Sequence, residues 1–387
     1  MPWRCMSTQQ QRAEFVVQAQ DPAINFSQLC QEYEISRPTG YLWLQRYREQ
    51  GVVGLQDRNR RPRESPTRTK SAVEQLIASL RRERPDWGAR KLWKQLREQE
   101  ITLPIATIHR VLVRHGLVSD KARLQRACQR FQRDAPNELW QMDFKGQKGW
   151  EHPIGPLSVL DDCSRYLIAL EGTWTTKAEP VQERLQTAFT NCGLPEAMLM
   201  DHGTPWWNPQ APSGWSKLLL WIMRQGIRCH FSGYRHPQTQ GKVERFHGTL
   251  DRARHLRAIP PEELDQAWLD VFRHEYNHIR PHEALQMRTP SEVWYPSPRK
   301  YDPHPPQWDY APGADVRKLG AQGKLTVDGC RWSISKALAG EWVELKRAEG
   351  RVLVYYCNSL LRELDPAAQR STAVERWANP HLPEQKV

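Results

Sequence analysis

The pattern of apolar and polar positions changes twice along the chain. Up to residue 118, apolar residues recur at helical spacing, as in NFSQLCQEYE, where Phe26, Leu29, Cys30 and Tyr33 share one helical face. From residue 138, short apolar runs typical of strands alternate with amphipathic helices, which indicates an α/β domain with a mixed sheet. After residue 316, apolar and polar residues alternate between Gly turns, which favours a small antiparallel β-barrel. The expected fold is therefore multidomain, with all-α units, an α/β core and a C-terminal β-barrel.

Two helical units in the N-terminal third have the helix-turn-helix pattern. In the first, Ser36 can cap the helix RPTGYLWLQRYREQ, and Pro38 lies in its first turn. In the second, Pro104 begins a similar helix and Gly116 ends it. We expect both units to bind DNA, and the alternative is a helical bundle that packs on the next domain. The predicted DNA contacts are Arg37, Thr39 and Tyr41 in the first unit and Thr107, His109 and Arg110 in the second.

The positive charge is concentrated in this same third of the chain. The net charge is +12, and residues 1–140 hold 25 Lys and Arg against 15 Asp and Glu. Such a distribution is typical of a nucleic-acid-binding arm attached to another kind of domain. The segment DRNRRPRESPTRTK has no apolar periodicity and is predicted to be a linker that lies in the DNA minor groove, with an inert tether as the alternative. Its predicted DNA contacts are Arg58, Arg60, Arg61 and Arg63.

These patterns divide the chain into seven parts. They are a helix-turn-helix domain (1–56), a basic linker (57–70), a second helix-turn-helix domain (71–118), a connector (119–135), the α/β core (136–296), a Pro-rich linker (297–315), and a small β-barrel-like domain with its tail (316–387). No run of eighteen apolar residues exists, and the N-terminus lacks the apolar stretch of a secretory signal. The eight Cys occur singly, as reduced thiols in a cytoplasm do. We therefore expect a cytoplasmic protein with no membrane partner.

Three acids occupy positions at which α/β proteins commonly have their active or ligand-binding sites. Asp143 ends the strand-like run ELWQMDF, Asp201 ends EAMLMD, and Glu244 lies at the Gly-containing start of a helix in HPQTQGKVERFHGTL. Three converging carboxylates would repel one another unless cations were bound, and hard oxygen ligands select Mg²⁺ or Mn²⁺. Two such ions promote phosphodiester displacement. The neighbouring Lys242 and Arg245 would then bind DNA phosphates, and the alternative is a solvated helix end with local ion pairs.

Five stretches occur in an order that is specific in combination. They are WQMDFKG, VLDDCSRYLIAL, LMDHGTP, HPQTQGKVERFHGTL and YNHIRPHEALQMRTPSEVW. In these stretches the chain resembles the DDE transposases of bacterial insertion sequences, in the integrase-like group with a ribonuclease-H-like catalytic core. The resemblance covers about residues 135–295 and extends to the helix-turn-helix region before them. It implies that part 136–296 is an integrase catalytic core.

The resemblance also implies a mechanism. Asp143, Asp201 and Glu244 would be the ligands of two Mg²⁺ ions, for which Mn²⁺ can substitute, with Asp143 bridging both. Water would free a 3′-OH at the element end, and that 3′-OH would attack target DNA. The implied partners are double-stranded DNA, as terminal repeats and as target, and further copies of the chain in a homodimer or larger synaptic oligomer. The implied location is the nucleoid in a bacterial cytoplasm.

The chain departs from the family pattern at two positions near the acids. Many relatives have Lys or Arg seven residues after the Glu, whereas this chain has Asp251 followed by Arg252, so Arg252 or Arg245 is predicted to contact the DNA end. The middle motif reads DHG instead of DNG, and His202 orients Asp201, touches substrate or is a plain turn residue.

For several other residues near the motifs, a structural role is favoured over a functional one. Asp162, in the DDCSR turn, is predicted to form an ion pair with Arg165, with a supporting role behind the metal ligands as the alternative. Core packing is favoured over base stacking for Trp206 and Trp207, and His247 is expected to be structural.

Two other functional classes compete with an active transposase. One is a DNA-binding protein with an idle core, such as a domesticated element or a repressor of transposition. The other is a simple metal-dependent nuclease. The three intact acids favour an enzyme, and the two helix-turn-helix units favour recognition of specific DNA ends.

Overall fold

The computed structural model describes residues 7–57, 68–118, 132–147, 150, 154–207, 214–232 and 240–374. The chain divides into two compact units, residues 1–70 and 71–387, and each is described by itself. None of the helices in the described ranges combines the length and apolar character needed to span a membrane.

The first unit is a three-helix domain. It contains α1 (Thr8–Gln18), α2 (Phe26–Glu32) and α3 (Arg37–Gln50), followed by a 3-10 turn. The Ser36 side chain accepts a hydrogen bond from the Thr39 amide, so the predicted cap of α3 is confirmed. Phe15, Leu29 and Cys30 pack in its core, and the absence of a side chain at Gly40 lets α3 approach them closely.

The second helical domain opens the larger unit. Helices α4 (Ser71–Glu83), α5 (Ala89–Glu98) and α6 (Ile105–Arg114) pack around Trp87, which is completely buried. The turn between α4 and α5 holds Asp86, an acid without solvent exposure. This domain belongs to the same compact unit as the α/β core.

The central domain is built on a mixed five-stranded sheet in the order β3-β2-β1-β4-β5. Strands β1 (Trp140–Phe144), β2 (Leu157–Asp161) and β3 (Leu167–Glu171) are antiparallel, while β4 (Ala197–Met200) and β5 (Arg228–Phe231) run parallel to β1. Four helices cover it, namely α7 (Ala178–Cys192), α8 (Lys217–Arg224), α9 (Gly241–Leu256) and α10 (Gln266–His274). The predicted mixed sheet is confirmed.

The two faces of this sheet pack into different cores. Side chains from α7 and α8 join the cluster that contains Trp140 and Met142 of β1. Side chains from α9 and α10, including Phe246 and Phe272, form a second cluster with residues of β2 and β3. Because successive strand residues point to opposite faces, Gln141 and Asp143 lie on the side of α9.

The C-terminal strands are antiparallel, as the alternating pattern predicts. Strands β6 (Asp315–Lys318), β9 (Trp342–Ala348), β10 (Arg351–Tyr356), β11 (Ser359–Asp365) and β12 (Arg370–Ala373) form one sheet, and β7 (Lys324–Val327) pairs with β8 (Cys330–Ser333) in another. The five-stranded sheet has β12 and β6 at its edges and does not close among the described residues, so the expected barrel is not confirmed. Its apolar face joins the α7–α8 side of the central core.

The Pro-rich segment that precedes these strands is irregular but attached to the central domain. The Ser297 hydroxyl donates to the Leu194 carbonyl over 2.7 Å. The Arg299 guanidinium donates to the carbonyls of Gln225 and Gly226, each over 3.0 Å. These bonds hold the segment, which the sequence predicts as a linker, against the ends of α7 and α8.

Gly40→Ala is expected to destabilise the first unit. An added Cβ would lie 2.8 Å from Phe15 Cζ and 2.9 Å from Cys30 Sγ, and overpacking of this kind costs about 1–3 kcal/mol. Gly248→Ala, in α9, is the control, because no atom lies within 4 Å of its added Cβ and Ala is the better helix former by about 1 kcal/mol. Urea unfolding of both variants checks this. Equal changes in the free energy of unfolding, with the same sign in both variants, would contradict the close approach at Gly40.

Candidate active site

Asp143 lies at the end of β1 on the face covered by α9. Its side chain is 21% exposed, and across the strand pair it stands opposite Ser158 of β2. The His247 ring, from α9, lies between the two, with Nδ1 3.7 Å from Asp143 Oδ2 and Nε2 3.0 Å from Ser158 Oγ. Burial lowers the pKa of His247 to about 3, so the ring is neutral near pH 7. His247 therefore connects Asp143 to α9 as a structural residue.

Asp201 follows β4 directly, and its carboxylate is held from one side. Oδ1 accepts the Gly203 amide over 2.9 Å and the Trp206 indole N–H over 2.8 Å. A Cβ at residue 203 would lie 2.8 Å from that same oxygen, so glycine is required for this close approach. Trp206 is buried and stacks on Phe144 of β1, with 5.5 Å between ring centroids. Through its hydrogen bond to Asp201 and its stacking on Phe144, Trp206 links the loop that holds Asp201 to the strand that holds Asp143.

Glu244 is exposed in the first turn of α9, and the residues before it tie that helix to the sheet. The Val243 amide donates to Gln141 Oε1 over 3.3 Å. The Lys242 ammonium contacts the carboxylate of Asp162, a side chain with no exposure, and Gln141 Nε2 donates to the other oxygen of Asp162 over 2.8 Å. This buried network sets where α9 begins and so where Glu244 stands.

The three carboxylates interact electrostatically. Burial is the main cause that raises the pKa of Asp143 to about 7, and the negative charge of Asp201 adds to it. The Phe144 amide and Lys145 oppose the rise, while Glu244 adds a smaller contribution in the same direction. Partial burial also raises the pKa of Glu244. The charges of Asp201 and Glu244 thus both act on Asp143 and disfavour its ionised form.

The donor chemistry of this cluster fits a divalent cation. Carboxylate oxygens are the ligands that Mg²⁺ and Mn²⁺ prefer, and a bound cation would offset the burial and the repulsion that together raise the pKa of Asp143. As placed, the described His, Cys, Asp and Glu side chains do not form a group of three around one cation position.

Asp162 and Lys242 have partners that differ from those predicted from the sequence. Asp162 forms its direct ion pair with Lys242 instead of the predicted Arg165, whose guanidinium donates to the Cys163 carbonyl and to Gln132. Lys242, predicted to bind DNA, has its ammonium in that buried pair. The turn pattern could reveal only local partners, and Lys242 lies 80 residues further along the chain.

The other predicted DNA contacts are mostly accessible. Exposed side chains are those of Arg37, Tyr41, His109, Arg110, Arg245 and Arg252, and half-buried ones are those of Thr39 and Thr107. Arg58, Arg60, Arg61 and Arg63 lie outside the described residues. His202 stacks on Phe231, and Asp251 pairs with Lys145 over 3.0 Å. Trp206 and Trp207 are buried, which agrees with the core-packing interpretation.

The sequence interpretation missed Gln141, Gly203 and the bond from Trp206 to Asp201. Strand alternation could have found Gln141, because it stands two residues before Asp143 and shares its face. No pattern identified the indole as a donor, since that bond depends on how the loop folds back.

Comparison with known proteins agrees with this architecture. A helix-turn-helix domain matches residues 11–63, a homeodomain-like domain residues 39–112, and an integrase core domain residues 225–290. The insertion element IS407 uncharacterized 31.7 kDa protein of Burkholderia multivorans is 23% identical over 241 residues, which are 59% of this chain and 82% of that protein.

Solved structures of retroviral proteins are also similar. A chain of the simian T-cell lymphotropic virus intasome, in complex with PP2A regulatory subunit B56 gamma, matches with a TM-score of 0.37 and 17% identity over 72% of this chain and 91% of that one. The HTLV-2 integrase catalytic core domain in complex with magnesium, in its dimeric form, matches with a TM-score of 0.32 and 14% identity over 41% of this chain and 97% of that one.

Helix-turn-helix domains followed by an integrase core support a DNA transposase or integrase. The similarity to the insertion-element protein supports an insertion-sequence transposase with an integrase-like core.

Asp143→Asn is expected to stabilise the metal-free protein above pH 7. The pKa of Asp143 is about 7 in the folded state against 3.8 for an ordinary Asp, so the folded state pays for ionisation. The penalty is absent below pH ~4, grows as pH rises, and is complete above pH ~7, at no more than about 4 kcal/mol. Urea unfolding in EDTA across this range measures it.

The exposed acid Asp270, replaced by Asn, is the control for that titration. Excess Mg²⁺ should stabilise the wild type at pH 8 and so reduce the difference in free energy of unfolding between the wild type and Asp143→Asn. A difference that does not change with pH would contradict the raised pKa of Asp143.

Proposed function

We propose that this transposase binds the terminal inverted repeats of an insertion sequence, cleaves at the element ends by metal-dependent hydrolysis, and joins the 3′-OH ends to target DNA by transesterification. The observation that carries the proposal is the electrostatic coupling of Asp143 to Asp201 and Glu244 at one edge of the mixed sheet. The integrase core match includes Glu244, and helix-turn-helix matches precede it. Together they support phosphodiester chemistry directed to particular DNA ends.

Asp143, Asp201 and Glu244 would hold two divalent cations, Mg²⁺ or Mn²⁺. Held by these carboxylates, such cations would supply activation of the attacking oxygen and stabilisation of the leaving oxygen of a phosphodiester. The protein's own contribution is orientation. Gly203 and Trp206 hold one oxygen of Asp201, and His247, bonded to Ser158, packs between α9 and Asp143. The attacking groups would be water and then the DNA 3′-OH, so no nucleophilic side chain is required.

The surface of α9 beyond the acids would bind the DNA backbone. Arg245 and Arg252 are exposed on it, whereas Lys242 is buried in its pair with Asp162. We therefore assign phosphate contacts to Arg245 and Arg252 before Lys242. The helix-turn-helix residues Arg37, Thr39, Tyr41, Thr107, His109 and Arg110, and the arginines of 58–63, would recognise the terminal repeat. Two ends must be joined together, which calls for a homodimer or larger synaptic oligomer.

One observation favours a second candidate, a DNA-binding protein whose core no longer catalyses. Among the described residues, the three acids do not yet surround a single cation position. In that case the chain would bind element ends and repress transposition. Activity measurements separate the two candidates, because both predict binding to the ends.

Glu244→Gln is expected to abolish joining while DNA binding is kept. The substitution preserves size but removes the charge that a metal ligand needs, and we expect a loss of about 100-fold or more. Strand transfer is measured with duplexes that carry the element's own ends, in Mg²⁺ or Mn²⁺. Glu179→Gln is the matched control, because Glu179 is an exposed acid in the first turn of another helix, α7.

Equal joining by wild type and Glu244→Gln would remove Glu244 from the proposed site. Binding by both proteins without any cleavage would favour the repressor. Cleavage without joining would instead indicate a simple nuclease.

A further inference from the structure

A buried charged interface joins the second helical domain to the central domain. Asp86, in the turn between α4 and α5, has no solvent exposure. One of its oxygens lies 3.3 Å from Arg257 Nη2, at the C-terminal end of α9, and the other contacts the guanidinium of Arg280. Arg280 is itself buried. A single carboxylate of the helical domain thus holds two arginines of the central domain.

The network continues on both sides of Asp86. Arg257 also donates both terminal nitrogens to Glu275, over 2.7 and 2.8 Å. Glu275 in turn lies 4.0 Å from Arg84 of the helical domain, whose guanidinium lies over the ring of Trp87. The charges therefore alternate from Arg84 through Glu275, Arg257 and Asp86 to Arg280, and the chain of contacts crosses the domain boundary three times.

Asp86 is the main counter-charge for this cluster. Burial alone would raise its pKa, but Arg280 and Arg257 outweigh burial and lower it, so the carboxylate is ionised. Lys91, half-buried at this interface, has its pKa lowered to about 7, first by burial and then by Arg280, and Asp86 opposes that change. Removing the charge of Asp86 would leave cations facing one another across the boundary.

Buried ion pairs are a costly way to hold two domains together. Well-packed apolar residues often give equal or greater stability, so a buried network is better explained by the unique geometry that it imposes. Helix α9 shows what that geometry serves, because it carries Glu244 in its first turn and ends beside Arg257. The two residues are 13 positions apart, about 20 Å along the helix.

We propose that Asp86 is a positioning residue that fixes the second helix-turn-helix domain on α9 and thereby selects which phosphodiester of a bound element end reaches Glu244. This inference rests on the proposed function, because it assumes that the acids cleave DNA. Docking through Asp86 can be measured without any reaction, so the two claims can fail separately.

The first measurement is amide hydrogen exchange of the full chain. In Asp86→Asn, which keeps the size and removes the charge, exchange should rise at least about tenfold in residues 84–92 and 275–285. Glu283→Gln is the matched control, because the Arg90–Glu283 pair spans the same boundary but is 58% and 56% exposed. Exposed pairs contribute little, so this control should exchange like the wild type.

The second measurement maps the cut position on end-labelled duplexes that carry the element's ends. Wild type and Glu283→Gln should cut at one phosphodiester. Asp86→Asn should spread its cuts over neighbouring positions and lose about tenfold or more at the original one. A merely structural loss of folded protein would lower the amount of product without changing its lengths.

If Asp86→Asn does not fold, Asp86→Glu is used in its place to test the positioning role. It retains the charge on a longer side chain, so exchange should stay close to wild type while the main cut shifts or spreads. Unchanged exchange in Asp86→Asn would overturn the docking role, and raised exchange with an unchanged cut would overturn the positioning role. If the wild type does not cleave at all, the proposed function and the selection of a phosphodiester fail together, and exchange still decides the docking.

Discussion

The unfavourable placement of the Asp143 carboxylate, partly buried at the end of β1 and near other acids, is the constraint on which the arrangement of the site depends. Burial raises the pKa of Asp143 to about 7, the negative charges of Asp201 and Glu244 add to the rise, and the Phe144 amide and Lys145 oppose it. Such a cluster persists only if other contacts hold each acid in place. The Trp206 and Gly203 donors hold Asp201, and the neutral His247 ring packs beside Asp143. The buried contact of Lys242 with Asp162 holds the start of the helix that bears Glu244.

Helix α9 brings these contacts together. Its buried residues Val243, Phe246, Leu250 and Ala253 recur at helical spacing and pack it on the sheet. Its exposed side presents Glu244, Arg245 and Arg252 to solvent. Its far end lies in the charged interface with the second helical domain through Arg257. One rigid element therefore connects the acids to the domain that is expected to recognise DNA ends.

Local patterns in the sequence were sufficient for the elements and for the placement of the acids on them. A short apolar run predicted the strand that ends near Asp143, and a polar cap before a Pro predicted the start of α3, as Ser36 confirms. The motif order predicted the integrase core, which the family match supports. The assignment of Asp143, Asp201 and Glu244 as metal ligands remains a prediction, with their electrostatic coupling in its favour.

Long-range features could not be predicted in the same way. The partner of Asp162 proved to be Lys242, because a turn pattern shows only residues nearby in the chain. Alternation predicted antiparallel C-terminal strands, but closure into a barrel depends on strand number and stagger, which alternation does not specify. The Pro-rich segment has the composition of a linker, yet Ser297 and Arg299 attach it to the central domain.

Calorimetric titration of Mn²⁺ into the full-length protein, with Asp143→Asn in parallel, tests most directly whether these acids form a cation site. We expect saturable binding to the wild type and an affinity lower by about tenfold or more in the variant, because a ligand at the centre of the cluster is lost. Equal binding by both proteins, or no saturable binding by either, would show that these acids do not form the cation site.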